Sequence, residues 1–291
     1  MYPSRFRYEA PRSIEEALQL LRAGGGEAKV LAGGQSLVPM LKLRFAAPEM
    51  LVDINELPGL DYHRADPDGT IRIGALCRHA ELECSALLRD RQPTMAAAAP
   101  LVADPIVRNR GTLVGSLCHA DPQGDWASVV TALGGRVVAQ GPKGRREIPI
   151  GEYVTGPFQN ALAYDELAVE AVIPAPRGTP AGGYLKLERR IGDFATVGVA
   201  VALETEDDVV TRAGIALTGV GGSTIDATDA AQVLVGGPLR ADAIAEAGAL
   251  AARAAQPKSD HRGSAAYKRH LVQTFVERIL DGVGDTTERA A

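Results

Sequence analysis

The chain predicts a mixed α and β fold of two successive units, residues 1–176 and 177–291. Three observations carry that reading. The opening segment alternates strand and helix patterns in the manner of a βαβ unit. The run Pro174-Ala175-Pro176-Arg177-Gly178-Thr179-Pro180 then interrupts the periodic segments and marks a boundary. Beyond it, strand-like runs come first and helical ones afterwards, the order of an antiparallel sheet covered on one face, an α+β unit.

A change of texture near Leu57 divides the first unit into subdomains of about 1–57 and 58–176. Tyr2 to Glu9 alternates and predicts a short strand. Ser13 precedes the apolar positions Ala17, Leu18, Leu20 and Leu21, with Glu16 three residues on. That capping box predicts a helix, and Gly24-Gly25-Gly26 ends it. Lys29-Val30-Leu31 predicts a strand, Leu37 to Leu43 a helix, and Leu51 to Ile54 another strand. In the second subdomain Thr70 to Gly74 predicts a strand, Arg78 to Leu88 one helix, and Thr94 to Leu101 a helix of small residues. Asp104 to Gly124 is irregular and rich in Gly, Pro, Asn and Asp; such a stretch inside a compact domain signals function. Trp126 to Leu133 predicts a helix. Strands at Arg136–Ala139 and Glu147–Ile150 flank a turn at Gly141-Pro142, and Leu167–Ile173 is a further strand. The second unit offers strands at Gly183–Arg190, Val197–Glu204 and Val209–Val220, then helices at Asp226–Leu234, Ala241–Ala255 and Ser264–Leu280.

Composition excludes several function classes. A net charge of −5, with no basic stripe, argues against a nucleic-acid partner. No apolar run is long enough to span a bilayer, and the N-terminus lacks the apolar core of a signal peptide. Cys77, Cys84 and Cys118 form no CxxC pair and no disulfide framework, which fits a reducing cytoplasm. They are also too few to ligate an iron–sulfur cluster, so any electrons carried here reside on an organic cofactor. His63, His79, His261 and His270 show no metal-ligand spacing, and no metal site is expected.

Two glycine loops carry the chemical content. In Leu31-Ala32-Gly33-Gly34-Gln35-Ser36-Leu37 a strand feeds two glycines and a hydroxyl at a helix start. Gly33 and Gly34 leave room for backbone N–H groups to face an anion. Ser36 either caps the helix or donates to a phosphate. A tight turn with an ordinary cap accounts for the same letters. The second loop, Arg110-Gly111-Thr112-Leu113-Val114-Gly115-Ser116, continues to Asp121-Pro122-Gln123-Gly124-Asp125-Trp126. Asp125 either accepts hydrogen bonds from ribose or adenine or caps the helix after it. Cys118-His119 presents a thiol beside an imidazole, yet loop neighbours rarely point the same way, so a nucleophilic pair is not expected.

Through these loops the chain resembles the FAD-binding medium subunits of molybdenum hydroxylases. The group includes aerobic carbon monoxide dehydrogenase, xanthine dehydrogenase, the nicotine and caffeine dehydrogenases and quinoline oxidoreductase. Residues Leu31 to Lys42 resemble the first FAD loop of that family and Asp104 to Ser116 the second. Lys186 to Ala195 resembles the segment laid against the flavin, and Asp260 to Lys268 is a further family-like run. The resemblance implies a vanillyl-alcohol-oxidase-type FAD-binding domain of two α/β subdomains, followed by a C-terminal α+β domain with a three-stranded antiparallel sheet. It places Ala32, Gly33, Gly34, Gln35 and Ser36, flanked by Leu31 and Leu37, around the pyrophosphate. Thr112, Gly115 and Ser116 continue that cradle, and Asp125 holds the adenosine end. Leu167 lines the cofactor by its backbone, Lys186 sits near the isoalloxazine, and Asp193 and Phe194 lie close to the ring. Relatives usually read Thr-Ile-Gly-Gly-Asn in the second loop; here Val114 brings a Cβ to a position implied to face the ligand, and Ser116 replaces the asparagine.

The implied function is an electron-transfer subunit, most similar to that of carbon monoxide dehydrogenase, with no catalytic residues of its own. FAD on this chain receives electrons from [2Fe-2S] clusters on a small subunit. The clusters are fed in turn by a molybdenum cofactor on a large subunit, in a dimer of heterotrimers (a heterohexamer). Two other readings compete: a free-standing FAD oxidoreductase of the same fold, and a flavin-free scaffold subunit.

Overall fold

The computed structural model describes residues 2–290. Its first layer is a parallel three-stranded sheet in which Met50–Asp53 lies between Arg7–Glu9 and Ala28–Leu31. The first strand is shorter than its alternation predicts, because only Arg7 to Glu9 face partners, Met50 to Val52. Between the outer strands the helix Ile14–Gly24 buries Ala17 and Leu21 on the sheet. Ser13 Oγ accepts from Glu16 N at 3.1 Å, as its sequence signature requires. Glu16, however, accepts from Arg12 N at 2.8 Å, one residue before the expected partner.

The second sheet has five strands and is antiparallel throughout, in the order His63–Ala65, Ile71–Gly74, Leu167–Ile173, Arg136–Gly141, Gly144–Pro149. Its centre, Leu167–Ile173, is buried along its whole length, which explains an almost unbroken apolar run. Glu170 is the exception in that run. It accepts from Arg72 Nη1 at 2.7 Å and from the Tyr62 hydroxyl, so its burial is compensated.

Two predicted segments come out differently. The single helix expected over Arg78–Leu88 is two, His79–Glu83 and Ala86–Arg91. Ser85 breaks it by accepting from Leu88 N at 3.2 Å and so starting a new helix. The irregular stretch Asp104–Gly124 contains the helices Pro105–Arg108 and Leu113–His119. Each is opened by a side-chain cap, Asp104 on Val107 N (2.8 Å) and Thr112 on Gly115 N (3.1 Å), and each is too short to show a helical period.

The C-terminal sheet is antiparallel: Thr179–Leu187, Val197–Glu206, Val209–Thr218 and a two-residue edge, Ile225–Asp226. It is covered on both faces rather than one. Val197, Val199, Val201 and Leu203 pack with the helices Ala241–Ala254 and Ala265–Ala290. Ala200, Ala202, Ala216 and Tyr184 join the core of the first unit instead. Alanines at alternate positions register weakly as an apolar stripe in the sequence, yet their small size lets another layer close over that face. Polar links cross the same seam: Thr94 Oγ1 to Val201 O at 2.7 Å, Arg212 Nη2 to Ala132 O at 2.9 Å, and Thr218 Oγ1 to Ser128 Oγ at 2.6 Å.

Candidate functional site

The two glycine loops meet edge to edge. A Cβ on Gly33 would lie 2.2 Å from Arg110 O, so the absence of a side chain there serves loop–loop contact before it serves any ligand. Gly34 has φ +74°, a conformation that L side chains resist. Two side chains clamp the junction. Arg78 donates to Arg110 O (3.0 Å) and to Asn55 Oδ1 (2.7 Å), and Asn55 Nδ2 donates to Ala32 O (2.8 Å). His79 N reaches Gly111 O at 2.9 Å.

A cleft of about 640 Å³ runs beside this junction, and the first loop separates it from a second cavity of about 530 Å³. Gly33, Gly34, Gln35, Ser36 and Leu37 line the cleft from one side; Thr112, Gly115, Ser116, Asp125, Leu167, Asp193 and Phe194 complete its walls. Leu31 lines the second cavity, and Ala32 lines both. Among the described residues, the N–H groups of Gly34, Gln35, Ser36 and Leu37 find no acceptor within the chain. The Ser36 hydroxyl makes no capping bond, which removes one of its two readings. Thr112 does cap, accepting from Gly115 N at 3.1 Å, and its hydroxyl proton remains to be donated. A row of unpaired backbone donors beside free hydroxyls suits an anion such as a pyrophosphate.

Three expectations need correction. Asp125 does not cap its helix; the cap residue is Gly124, and Asp125 opens the helix Asp125–Ala132. Its carboxylate is buried and accepts from the Tyr184 hydroxyl (2.7 Å) and Lys186 Nζ (3.1 Å). Burial pushes that carboxyl up and the Lys186 ammonium opposes it. Lys186, with its side chain 1% exposed, lines neither cavity and also binds Leu101 O (2.9 Å) and Glu188 (3.2 Å). Residues in contact cannot serve opposite ends of an extended dinucleotide, so the implied split between adenosine and isoalloxazine ends fails. Val114 is the third case. Its side chain is 2% exposed and packs in the apolar core, yet the residue also lines the cleft, so it forms part of the wall between the two rather than an intrusion.

Cys118 and His119 both line the cleft but do not form a pair. Cys118 Sγ lies 3.1 Å from the Tyr153 hydroxyl, and burial raises its thiol to about 11. His119 packs on the Phe158 ring with centroids 5.1 Å apart. A protonated thiol turned away from the imidazole is no nucleophile.

His79 is the residue that sequence reading missed. It is buried in the cleft wall and accepts from Trp126 Nε1 at Nδ1, 3.0 Å away. That bond places its single proton on Nε2, making a neutral donor. Burial first, then Arg108 and Arg78, push its pKa down from 6.5 to about 4. Protonation then favours the unfolded chain, so stability is full above pH 6.5 and falls as pH drops towards about 4. The difference is at most about 3 kcal/mol. His79→Gln, which still accepts from Trp126, flattens that slope in urea titrations at successive pH values; an unchanged slope contradicts the assignment.

The other histidine expectation also changes in space. His63 Nδ1 lies 3.8 Å from Cys77 Sγ, which contacts Glu81 Oε2 at 3.5 Å, although sequence spacing hides the cluster.

The family described as "FAD binding domain in molybdopterin dehydrogenase" matches residues 4–176, and "CO dehydrogenase flavoprotein C-terminal domain" matches residues 183–283. The carbon monoxide dehydrogenase medium chain of Hydrogenophaga pseudoflava is 39% identical over 281 residues, covering 97% of this chain and 98% of that one. The nicotine 6-hydroxylase medium subunit of Paenarthrobacter nicotinovorans is also 39% identical, covering 97% of this chain and 98% of that one. A solved structure of the Hydrogenophaga carbon monoxide dehydrogenase superposes with a TM-score of 0.93, covering 98% of this chain and 99% of that chain at 39% identity.

Proposed function

Because the chain belongs to the family of FAD-binding medium subunits of molybdenum hydroxylases, we propose that its cleft holds one FAD and that it relays electrons within such a complex. The observation that carries the reading is the set of unpaired N–H donors over Gly34–Leu37, held in place by the junction with the second loop. FAD, when bound, accepts electrons singly and gives them up singly or in pairs, which suits a junction between clusters and an external acceptor.

The chain's own groups bind and orient. Gly34, Gln35, Ser36 and Leu37 offer backbone donors to the pyrophosphate, and Ser36, Thr112 and Ser116 add hydroxyls. His79 adds a neutral donor from the wall. Leu167 lines the cleft beside Ala168 at the start of the central strand. Asp193 and Phe194 stand at the opening on the loop between Leu187 and Val197, with Phe194 half exposed. Lys186 and Asp125 join the C-terminal sheet to the cleft wall and keep that wall in register.

The partners are a large subunit with a molybdenum cofactor and a small subunit with [2Fe-2S] clusters, assembled as a dimer of heterotrimers in the cytoplasm. No described helix is long and apolar enough to cross a membrane. Similar identities to relatives named for carbon monoxide and for nicotine mean that likeness of this subunit does not choose a substrate. Isolation of the native protein tests the assembly. Molybdenum and iron should accompany the chain in stoichiometric amounts by mass spectrometry; a metal-free chain that is active as a complete oxidoreductase sinks the proposal.

A further inference from the structure

Outside the cleft, three side chains of metal-ligating type converge on one point. His63 belongs to the edge strand His63–Ala65, which pairs with Ile71–Gly74. Cys77 follows that second strand in a turn closed by Cys77 N to Gly74 O at 3.1 Å. Glu81 lies in the first turn of the helix His79–Glu83, four residues beyond the cysteine. None of the three lines either cavity described above.

Their spacing is that of a coordination shell. A tetrahedral Zn²⁺ with bonds of about 2.3 Å to sulfur and about 2.0–2.1 Å to nitrogen and oxygen holds its ligand atoms roughly 3.4–3.6 Å apart. Cys77 Sγ stands 3.8 Å from His63 Nδ1 and 3.5 Å from Glu81 Oε2, and all three ligand atoms lie within 4.8 Å of one another. Small side-chain adjustments close the difference. The cysteine is fully buried, the histidine half-buried and the glutamate exposed, so the sulfur forms the floor of a bowl that opens to water. That leaves a fourth position for a solvent molecule.

The donor set also selects the class of ion. A thiolate and an imidazole favour a borderline-soft divalent cation over Mg²⁺ or Ca²⁺, which take oxygen shells. One thiolate and one carboxylate balance its two positive charges. Arg78, which follows Cys77, is engaged with Asn55 and Arg110 at the loop junction, and Arg64, which follows His63, lies over the Tyr62 ring. We propose that His63, Cys77 and Glu81 form a Zn²⁺ site with an open fourth position. The ion ties the edge strand to the turn that delivers His79 to the cleft. Binding releases the thiol proton to solvent, and the thiolate, the imidazole nitrogen and the carboxylate each form one bond to the metal.

The test uses the full chain, stripped with a chelator and then titrated with Co²⁺ alone. One Co²⁺ per chain should give tetrahedral d–d bands in the red, beyond flavin absorption, with a sulfur-to-metal charge-transfer band. Added Zn²⁺ should abolish both at one equivalent. Cys77→Ser should remove the charge-transfer band. His63→Gln and Glu81→Gln alter positions open to solvent and spare the core; each should weaken binding at least tenfold, on the order of what second-shell losses alone cost. Cys84→Ser should change nothing. Failure to bind Co²⁺, or spectra that survive both Cys77→Ser and His63→Gln, would show a thiol merely hydrogen-bonded to its neighbours and overturn the site.

Discussion

Gly33→Val is expected to eliminate FAD binding and to destabilise the chain at the same time. The nearest atoms to a new Cβ are Arg110 O at 2.2 Å, Arg110 C at 2.8 Å and Gly111 Cα at 2.8 Å, all backbone. No rotamer change relieves that clash, so the loops must part and the hydrogen bonds of Arg78 and Asn55 across them must stretch. Overpacking of this kind costs roughly 3 kcal/mol or more. The substitution therefore does more than fill ligand space; it dismantles the cradle. Gly34→Val provides the contrast. Its Cβ would meet only the Leu31 and Val38 side chains, at 3.1 Å, and the main cost is the positive φ, about 1–2 kcal/mol. Flavin content and urea midpoint, read for both variants, should rank Gly33→Val as the more damaging. Normal flavin content in Gly33→Val would mean that the loops do not meet as described.

Asp125→Ala is the second large effect. It leaves the Lys186 ammonium, whose side chain is 1% exposed, with only Glu188 and Leu101 O, and it removes the carboxylate acceptor of the Tyr184 hydroxyl, which keeps only its Thr218 and Ser128 neighbours. Removing one member of a buried ion pair costs about 3–5 kcal/mol. For a chain of this size the melting temperature should fall on the order of 10 °C. Replacing both partners, Asp125→Leu with Lys186→Met, should cost less than the single change, since the buried ammonium is then gone and only Glu188, with its side chain 18% exposed, loses a partner. Because the pair joins the C-terminal sheet to the cleft wall, weaker FAD retention should accompany the lost stability. A double variant as damaged as Asp125→Ala would argue that packing rather than charge governs the site.

Local signals are legible in the sequence where one short segment carries them. The cap at Ser13, the helix Leu37–Leu43 and the strand Leu167–Ile173 each announce themselves within a few residues. The glycine loops were legible for the same reason, being continuous motifs. What escaped depends on distance or on size. Asp125 and Lys186 are 61 residues apart, and nothing in either segment indicates that they touch. His79 became visible only when the fold set Trp126 against it, 47 residues away in sequence. Val114 lines the cleft and packs in the core at once, a double placement that its own segment does not announce. The short helices of Asp104–Gly124 offer too few residues for a period. The second covered face of the C-terminal sheet is built from alanines, whose weak hydrophobicity hides it.

The central claim is that this cleft holds FAD without a covalent bond. Cys118, His119 and His79 all line it, so attachment is a real alternative; the protonated Cys118 thiol and the anchored His79 ring disfavour it. Acid precipitation of the purified chain, followed by quantification of flavin in the supernatant, is the most direct test. About one FAD per chain should be released, with a colourless pellet, as expected of a non-covalent cofactor site. A chain purified without flavin that binds none when FAD is supplied, or flavin that stays with the protein pellet, would contradict the account.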